Sequence, residues 1–206
     1  ASLYTDDRLT FWVENYIYKL PSGEIVAVFD DVTERKQSED KIIRQGHLLK
    51  SINDVFFETL TADSEEAVAK TCLRVAQEIT GSKFGFIGEI TPNGLVTTYA
   101  LSDPGWKACR IPETQANVLL KDMVIRGIWG QVILKEQSLI VNDPVSYPDR
   151  VGIPEGHPPL TSFLGVPLRD QHKVIGIIAM ANRESGYTID HQQDMEALSV
   201  AFVEAI

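Results

Sequence analysis

The chain opens with a polar–apolar alternation. Residues 9–20 are rich in aromatic and β-branched side chains, and Trp12, Glu14, Tyr16 and Tyr18 fall every second position. Pro21-Ser22-Gly23 supplies a turn, and a second apolar run follows over Glu24–Phe29. Two such runs around a Pro/Gly turn predict a β-hairpin. A hairpin alone is marginal in water, so this one is expected to belong to a larger sheet. From Thr33 to Leu60 the pattern changes to a helical period, with Asp31 or Thr33 as the N-cap. Ile42, Leu49 and Phe56 recur every seven residues, with Ile52 between them and Leu48 and Val55 beside them. That seam suits a helix paired with its copy, or one face packed on the following domain.

Helix and strand then alternate. Ser64–Ile79 places Ala67, Val68, Thr71, Cys72, Val75 and Ile79 on one face and ends at Gly81. Phe84–Ile90 and Leu95–Leu101 flank Thr91-Pro92-Asn93-Gly94 as a second hairpin. Ala116–Val124 and Arg126–Lys135 read as helices, Ser138–Val141 as a strand. Asn142–Leu160 is a long loop with five prolines, and loops of that length are commonly lids or binding loops. Ser162–Leu168 and Val174–Asn182 are strands, and Asp190–Ile206 is a closing helix. Antiparallel strands with helices on one side predict an α+β sandwich. Glycines at 130, 165 and 176 are expected where backbone or ligand comes close. Together with the long loop they point to a pocket under residues 142–160.

Charge narrows the partners. With 19 Lys+Arg against 29 Asp+Glu, the net charge of −10 repels phosphate backbones and anionic lipid. Neither nucleic acid nor a membrane surface is an expected partner. No apolar stretch of about 20 residues is present to span a bilayer. Cys72 and Cys109 lie far apart, so neither a disulfide framework nor a zinc site is indicated, and a reducing cytoplasm is the expected location. No Ser-His-Asp arrangement, phosphate-binding Gly-Lys loop or His-Glu-x-x-His stretch occurs, so no catalytic residues are expected.

Asp30-Asp31-Val32-Thr33-Glu34-Arg35-Lys36 resembles the end of PAS domains, where the last strand hands over to an output helix. The resemblance implies that residues 1–33 are the C-terminal hairpin of a PAS domain cut from a longer chain. Residues 34–52 would then be a linker helix. Gly127-Ile128-Trp129-Gly130-Gln131-Val132, Phe163-Leu164-Gly165-Val166-Pro167-Leu168 and Val174–Arg183 occur in the order and spacing of GAF domains. Residues 53–206 are accordingly similar to a GAF domain, a sheet with a small-molecule pocket on one face and terminal helices on the other. The combination implies a sensory module of a histidine kinase, dimeric through helices 34–60 and 190–206. The competing reading is a ligand-free dimerisation and spacer module whose pocket is filled by its own side chains.

Gly156-His157-Pro158-Pro159, running on to Phe163-Leu164-Gly165-Val166-Pro167, resembles the heme-binding GAF segment of redox and hypoxia sensor kinases. That resemblance implies His157 as an axial ligand of heme iron. Ser102–Cys109 is similar to a segment of methanogen sensor kinases, which implies a Cys109 thiol able to ligate iron or add to a heme vinyl group. In the plainer reading His157 ties the lid by a hydrogen bond and Cys109 is a half-buried apolar residue. Trp106, Tyr147 and Phe163 complete the expected ligand-binding set, and Trp129 lies on an apolar helix face that suits core packing. Asn182-Arg183, Tyr187 and Asp190 resemble the cyclic-nucleotide GAF motif, but Arg183 and His191 depart from it. Neither cysteine precedes a histidine as bilin attachment requires. His47, His172 and His191 read as solvated.

Overall fold

The computed structural model describes residues 1–6, 9–62, 64–102, 110–112 and 118–206. It divides into two compact units, Ala1–Leu49 and Lys50–Ile206. In the first, β1 (Ser2–Thr5), β2 (Thr10–Lys19) and β3 (Ile25–Asp31) form an antiparallel sheet in that order. The expected hairpin is β2–β3, in register from Val13↔Asp31 to Lys19↔Ile25. β1 has no counterpart in the hydropathy pattern. It adds on the other side of β2, Ser2 opposite Val13. The sheet exposes much of its apolar surface, with Ile17, Ile25 and Phe29 at least two-thirds accessible.

The handover from β3 to the helix α1 (Thr33–Thr61) is a knot of polar bonds. The Asp31 carboxylate accepts the Thr33 N–H at 2.9 Å, the role expected of a helix cap. The Trp12 N–H donates to Thr33 Oγ1 at 2.8 Å, and Arg35 pairs with Glu14. The Tyr16 hydroxyl and then Arg35 hold the Glu14 carboxyl below its usual range. Val13 and Val32 are buried there.

The second unit is built on a five-stranded antiparallel sheet of β4 (Phe84–Ile90), β5 (Val96–Leu101), β6 (Leu139–Val141), β7 (Phe163–Asp170) and β8 (Lys173–Ala181), in the order β5-β4-β8-β7-β6. α2 (Glu65–Thr80) starts at Ser64, whose Oγ accepts the Ala67 N–H, and stops at Gly81 in the left-handed region at φ 64°. α3 (Gly127–Leu134) and α4 (Ile189–Ala205) complete the described helices of this unit beyond α1.

Side-chain alternation along the strands divides the core in two. Ile87, Leu164, Val166, Leu168, Ile178 and Met180 face one way, against Val55 of α1, Val68, Cys72 and Val75 of α2, and Met195, Leu198 and Phe202 of α4. Phe86, Val96, Phe163, Ile177 and Ala179 face the other way, against Ile128, Trp129 and Val132 of α3. Helices therefore lie on both faces, not on one side as the pattern suggested, and α3 belongs to the second. Of the expected helix over 116–124, residues 116–117 lie outside the described residues, 118–119 are helical, and the helix does not continue through 124. Met123 instead forms an isolated bridge with Val96, exchanging N–H and C=O with it at 2.7 and 2.9 Å.

Glycine at 176 is a packing requirement. A Cβ there would lie 2.3 Å from the Gly88 carbonyl oxygen across the β4–β8 ladder. At Gly165 a Cβ would come within 2.7 Å of both the Phe163 ring and Val132. The close approaches expected at these glycines are made to the protein's own strands and rings.

Candidate functional site

The second face of the sheet gathers four aromatic residues, Phe86, Trp129, Tyr147 and Phe163. Phe163 is 4% exposed, and its ring occupies the space beside Gly165. Phe86 meets the Trp129 indole edge to face, centroids 6.4 Å apart, so Trp129 packs in this cluster as its apolar helix face implied. Tyr147 and Leu160, from the two halves of the proline-rich segment, pack on the same cluster. Residues 142–160 contain turns and bends but no helix or strand, and form a flap over this face. Val151 fills the space that a Cβ at Gly127 would need, at the start of α3. The Arg110 N–H donates to the Gly156 carbonyl at 2.8 Å.

One polar group on this face has no hydrogen-bond partner among the described residues. Thr98 lies opposite Gly88 in the β4–β5 register, and opposed residues share a face. A Cβ at Gly88 would touch Val96, Phe86 and Ile177, all members of the second cluster. Thr98 Oγ1 is therefore on that face, and among the described residues it is a buried hydroxyl without a hydrogen-bond partner. A buried polar atom left unpaired costs free energy and calls for an explanation, such as a ligand or a water. Sequence reasoning missed Thr98. The only signal was a hydroxyl across from a glycine in a hairpin whose bulge changes the register.

Two asparagines pin the ends of the flap. Asn142, its first residue, accepts the Tyr187 N–H on Oδ1 at 2.7 Å and donates from Nδ2 to the Tyr187 carbonyl at 2.9 Å. Asn182, just after β8, accepts the Thr161 N–H at 2.9 Å and donates to the Pro159 carbonyl at 2.7 Å. Asn182 sits at φ 62°, a left-handed conformation that asparagine tolerates better than most residues. Tyr187 itself is 3% exposed. Thr80 donates to the Ala76 carbonyl, Ser82 Oγ lies 2.6 Å from Thr80 Oγ1, and the Tyr187 hydroxyl lies 2.7 Å from Ser82 Oγ. Because the chain ends on a carbonyl, each hydroxyl donates toward Ala76 and Tyr187 is the first donor. Burial pushes the Tyr187 hydroxyl up to about 12.

The predicted site residues separate accordingly. Tyr147 and Phe163 come together on the second face. His157 is exposed on the flap. Its Nδ1 is 2.7 Å from the Pro158 carbonyl, so that nitrogen carries a proton, and in the neutral ring the lone pair is on Nε2. Trp106 and Cys109 lie outside the described residues. Cys72 is fully buried against the first face, and its thiol is pushed far above the usual range by burial. His191 is not merely solvated: Nδ1 accepts the Thr188 N–H at 3.0 Å and caps α4. Among the described residues no group of three or more His, Cys, Asp or Glu is placed to hold a metal ion. No helix among them is long and apolar enough to cross a membrane.

Known proteins share this arrangement. The chain is 26% identical over 165 residues to the methyl sulfide methyltransferase-associated sensor of Methanosarcina acetivorans; the match covers 79% of this chain and 16% of that protein's length. The GAF domain of a phosphoenolpyruvate-protein phosphotransferase from Coxiella burnetii superposes with a TM-score of 0.64 at 18% identity, covering 77% of this chain and 91% of that one. The free methionine-R-sulfoxide reductase of Neisseria meningitidis, in complex with its substrate, gives 0.58 at 16% identity, with 77% and 87% covered. At these identities the two structures establish the fold alone. The GAF domain family model matches residues 62–206, and with a helix-flanked antiparallel sheet of the same build, this chain belongs to the GAF family, whose members are generally regulatory small-molecule-binding modules.

Proposed function

We propose that the second unit senses a small molecule held between the second face of the sheet and the flap at 142–160, and passes its occupancy through α1 and α4 to a downstream histidine kinase in a longer protein. The observation that carries this reading is the orphan hydroxyl of Thr98, buried on an aromatic face beneath a flap that is pinned at both ends. Phe86, Trp129, Tyr147 and Phe163 supply apolar contact, and Thr98 supplies one polar anchor. The sensor name of the Methanosarcina relative agrees with this role. Residues 1–33 are read as the end of a PAS domain and 34–52 as the linker helix. Exposed Ile42, Leu49, Phe56 and Leu60 on α1 support a homodimer. On α4 the exposed mid-helix positions are Gln193, Val200 and Glu204, so the apolar seam belongs mainly to α1.

Heme is the ligand that the His157 resemblance implies, and the tautomer fits. With Nδ1–H bonded to a carbonyl, Nε2 is the nitrogen available to iron. The exposed ring would have to turn beneath the flap to meet Tyr147 and Phe163. Bound heme would supply redox or gas-binding chemistry, and His157 would hold it. The test is a hemin titration of the purified chain followed in the visible spectrum, beside native mass spectrometry for any other bound molecule. Stoichiometric binding with a shifted Soret band, lost in His157→Ala, supports heme. A non-heme mass released on denaturation, and weakened in Thr98→Val, supports the pocket with another occupant. Unchanged free-hemin absorbance and a bare mass favour the spacer reading.

A further inference from the structure

The flap and α4 are joined through a single short connection. Residues 182–188 run from the end of β8 to the start of α4, and both flap ends are bonded to them. Asn142 brings its side-chain amide to Tyr187 and pairs with both backbone groups of that residue, as a neighbouring strand would. The fit depends on Gly186, at φ 73°, because a Cβ there would lie 2.7 Å from Asn142 Oδ1. At the other end Asn182 holds Pro159 and Thr161, and Ser162 Oγ donates to the Arg183 carbonyl at 3.0 Å. Tyr187 is thus tied to the flap through its backbone and to the end of α2 through its hydroxyl. The next residue, Thr188, is the cap of α4, closed by His191.

We infer that Asn142 and Asn182 are positioning residues that couple the flap to the first turn of α4, Asn142 through Tyr187 and Asn182 through the start of the same connection. The flap cannot lift at either end without breaking a paired set of bonds or drawing residues 182–188 with it. Any occupant that prefers one flap position therefore biases the cap of α4. This rests on the reading that the flap responds to a ligand, but the coupling itself is testable with no ligand.

The experiment is amide hydrogen exchange on the full chain, followed in peptides from the flap and from the first turn of α4. The flap is loosened by Tyr147→Ala, which removes its aromatic anchor from the second cluster. The substitution is compared in the parent chain and in Asn142→Ala. In the parent, exchange should rise in the flap and, by roughly fivefold, in the first turn of α4. In Asn142→Ala the first turn should start faster, and Tyr147→Ala should accelerate it by a clearly smaller factor than in the parent, the bonds at Asn182 being still in place. If Tyr147→Ala does not fold, Val151→Ala loosens the flap from outside the cluster. A first turn of α4 that ignores the flap in the parent, or that responds by the same factor in both backgrounds, overturns the coupling. Either result leaves the pocket reading to the ligand titration, so the two fail separately.

Discussion

Removing one oxygen tests the hydroxyl chain beneath α4. In Tyr187→Phe the ring stays in place, but Ser82 Oγ loses the donor that fills its lone pair. Ser82 and Thr80 still bond to each other and to the Ala76 carbonyl, so the damage is confined to one hydrogen bond. The net loss is then about 1 kcal/mol near neutral pH. For a unit of this size that lowers Tm by about 2–4 °C. The pH dependence gives a second, independent readout. An unfolded tyrosine ionises near 10, whereas the folded Tyr187 hydroxyl is held up to about 12 by burial. Its contribution is fully present below pH 10 and is lost as pH rises, because the unfolded chain releases its proton first. Between those values the parent should lose stability by about 1.4 kcal/mol per pH unit from this group, a loss the Phe variant does not share. The gap between the two proteins should close and reverse at roughly pH 11. Urea unfolding of both chains from pH 8 to 11.5 measures this, since other titrating groups cancel in the difference. A constant gap across that range, or a Phe variant more stable than the parent at pH 8, would refute the assigned burial and bonding.

Other consequences are equally specific. Gly176→Ala forces a methyl against the Gly88 carbonyl and should cost about 3 kcal/mol or more in urea unfolding, because backbone on both sides must move. His191→Ala should destabilise by about 1 kcal/mol while His191→Gln, which keeps a side-chain acceptor for the Thr188 N–H, should lose less than half of that. Leu49→Asp places a charge in the α1 seam and should convert a dimer to a monomer in sedimentation with little change in thermal unfolding, since Leu49 is 62% exposed in the single chain.

The sheet and most helices were legible because period and punctuation agreed. Ser64, Gly81 and the Asn93-Gly94 turn fall where the pattern changes, and the structure caps α2 and turns β4 into β5 there. Where length was short the pattern failed. β1 has four residues, too few for alternation to stand out, and is a strand because β2 offers it a free edge. The expected helix over 116–124 fails at Met123, whose backbone is claimed by the exposed edge of β5. Tertiary hydrogen bonding there overrides a helical apolar spacing. The candidate site was half visible. Its flap announces itself by five prolines, and Tyr147 and Phe163 were named from the sequence as ligand-lining residues. Thr98 and Asn142 gain their roles from residues at least ten positions away in sequence, and Asn182 stood out only as part of a resemblance that gave no hint of its bonds to Pro159 and Thr161. His191 looked like an ordinary polar residue at a helix start because a glutamate or glutamine is the usual side chain for that cap.

If the flap covers a space able to admit a small molecule, crystals of the chain pressurised with xenon will reveal it. Xenon enters apolar cavities without needing hydrogen bonds. An anomalous peak is expected within the ring of Phe86, Trp129, Tyr147 and Phe163, displaced when Thr98→Phe fills the same volume. A second face packed solid against the flap, with no xenon there and Thr98 bonded to protein, would contradict it.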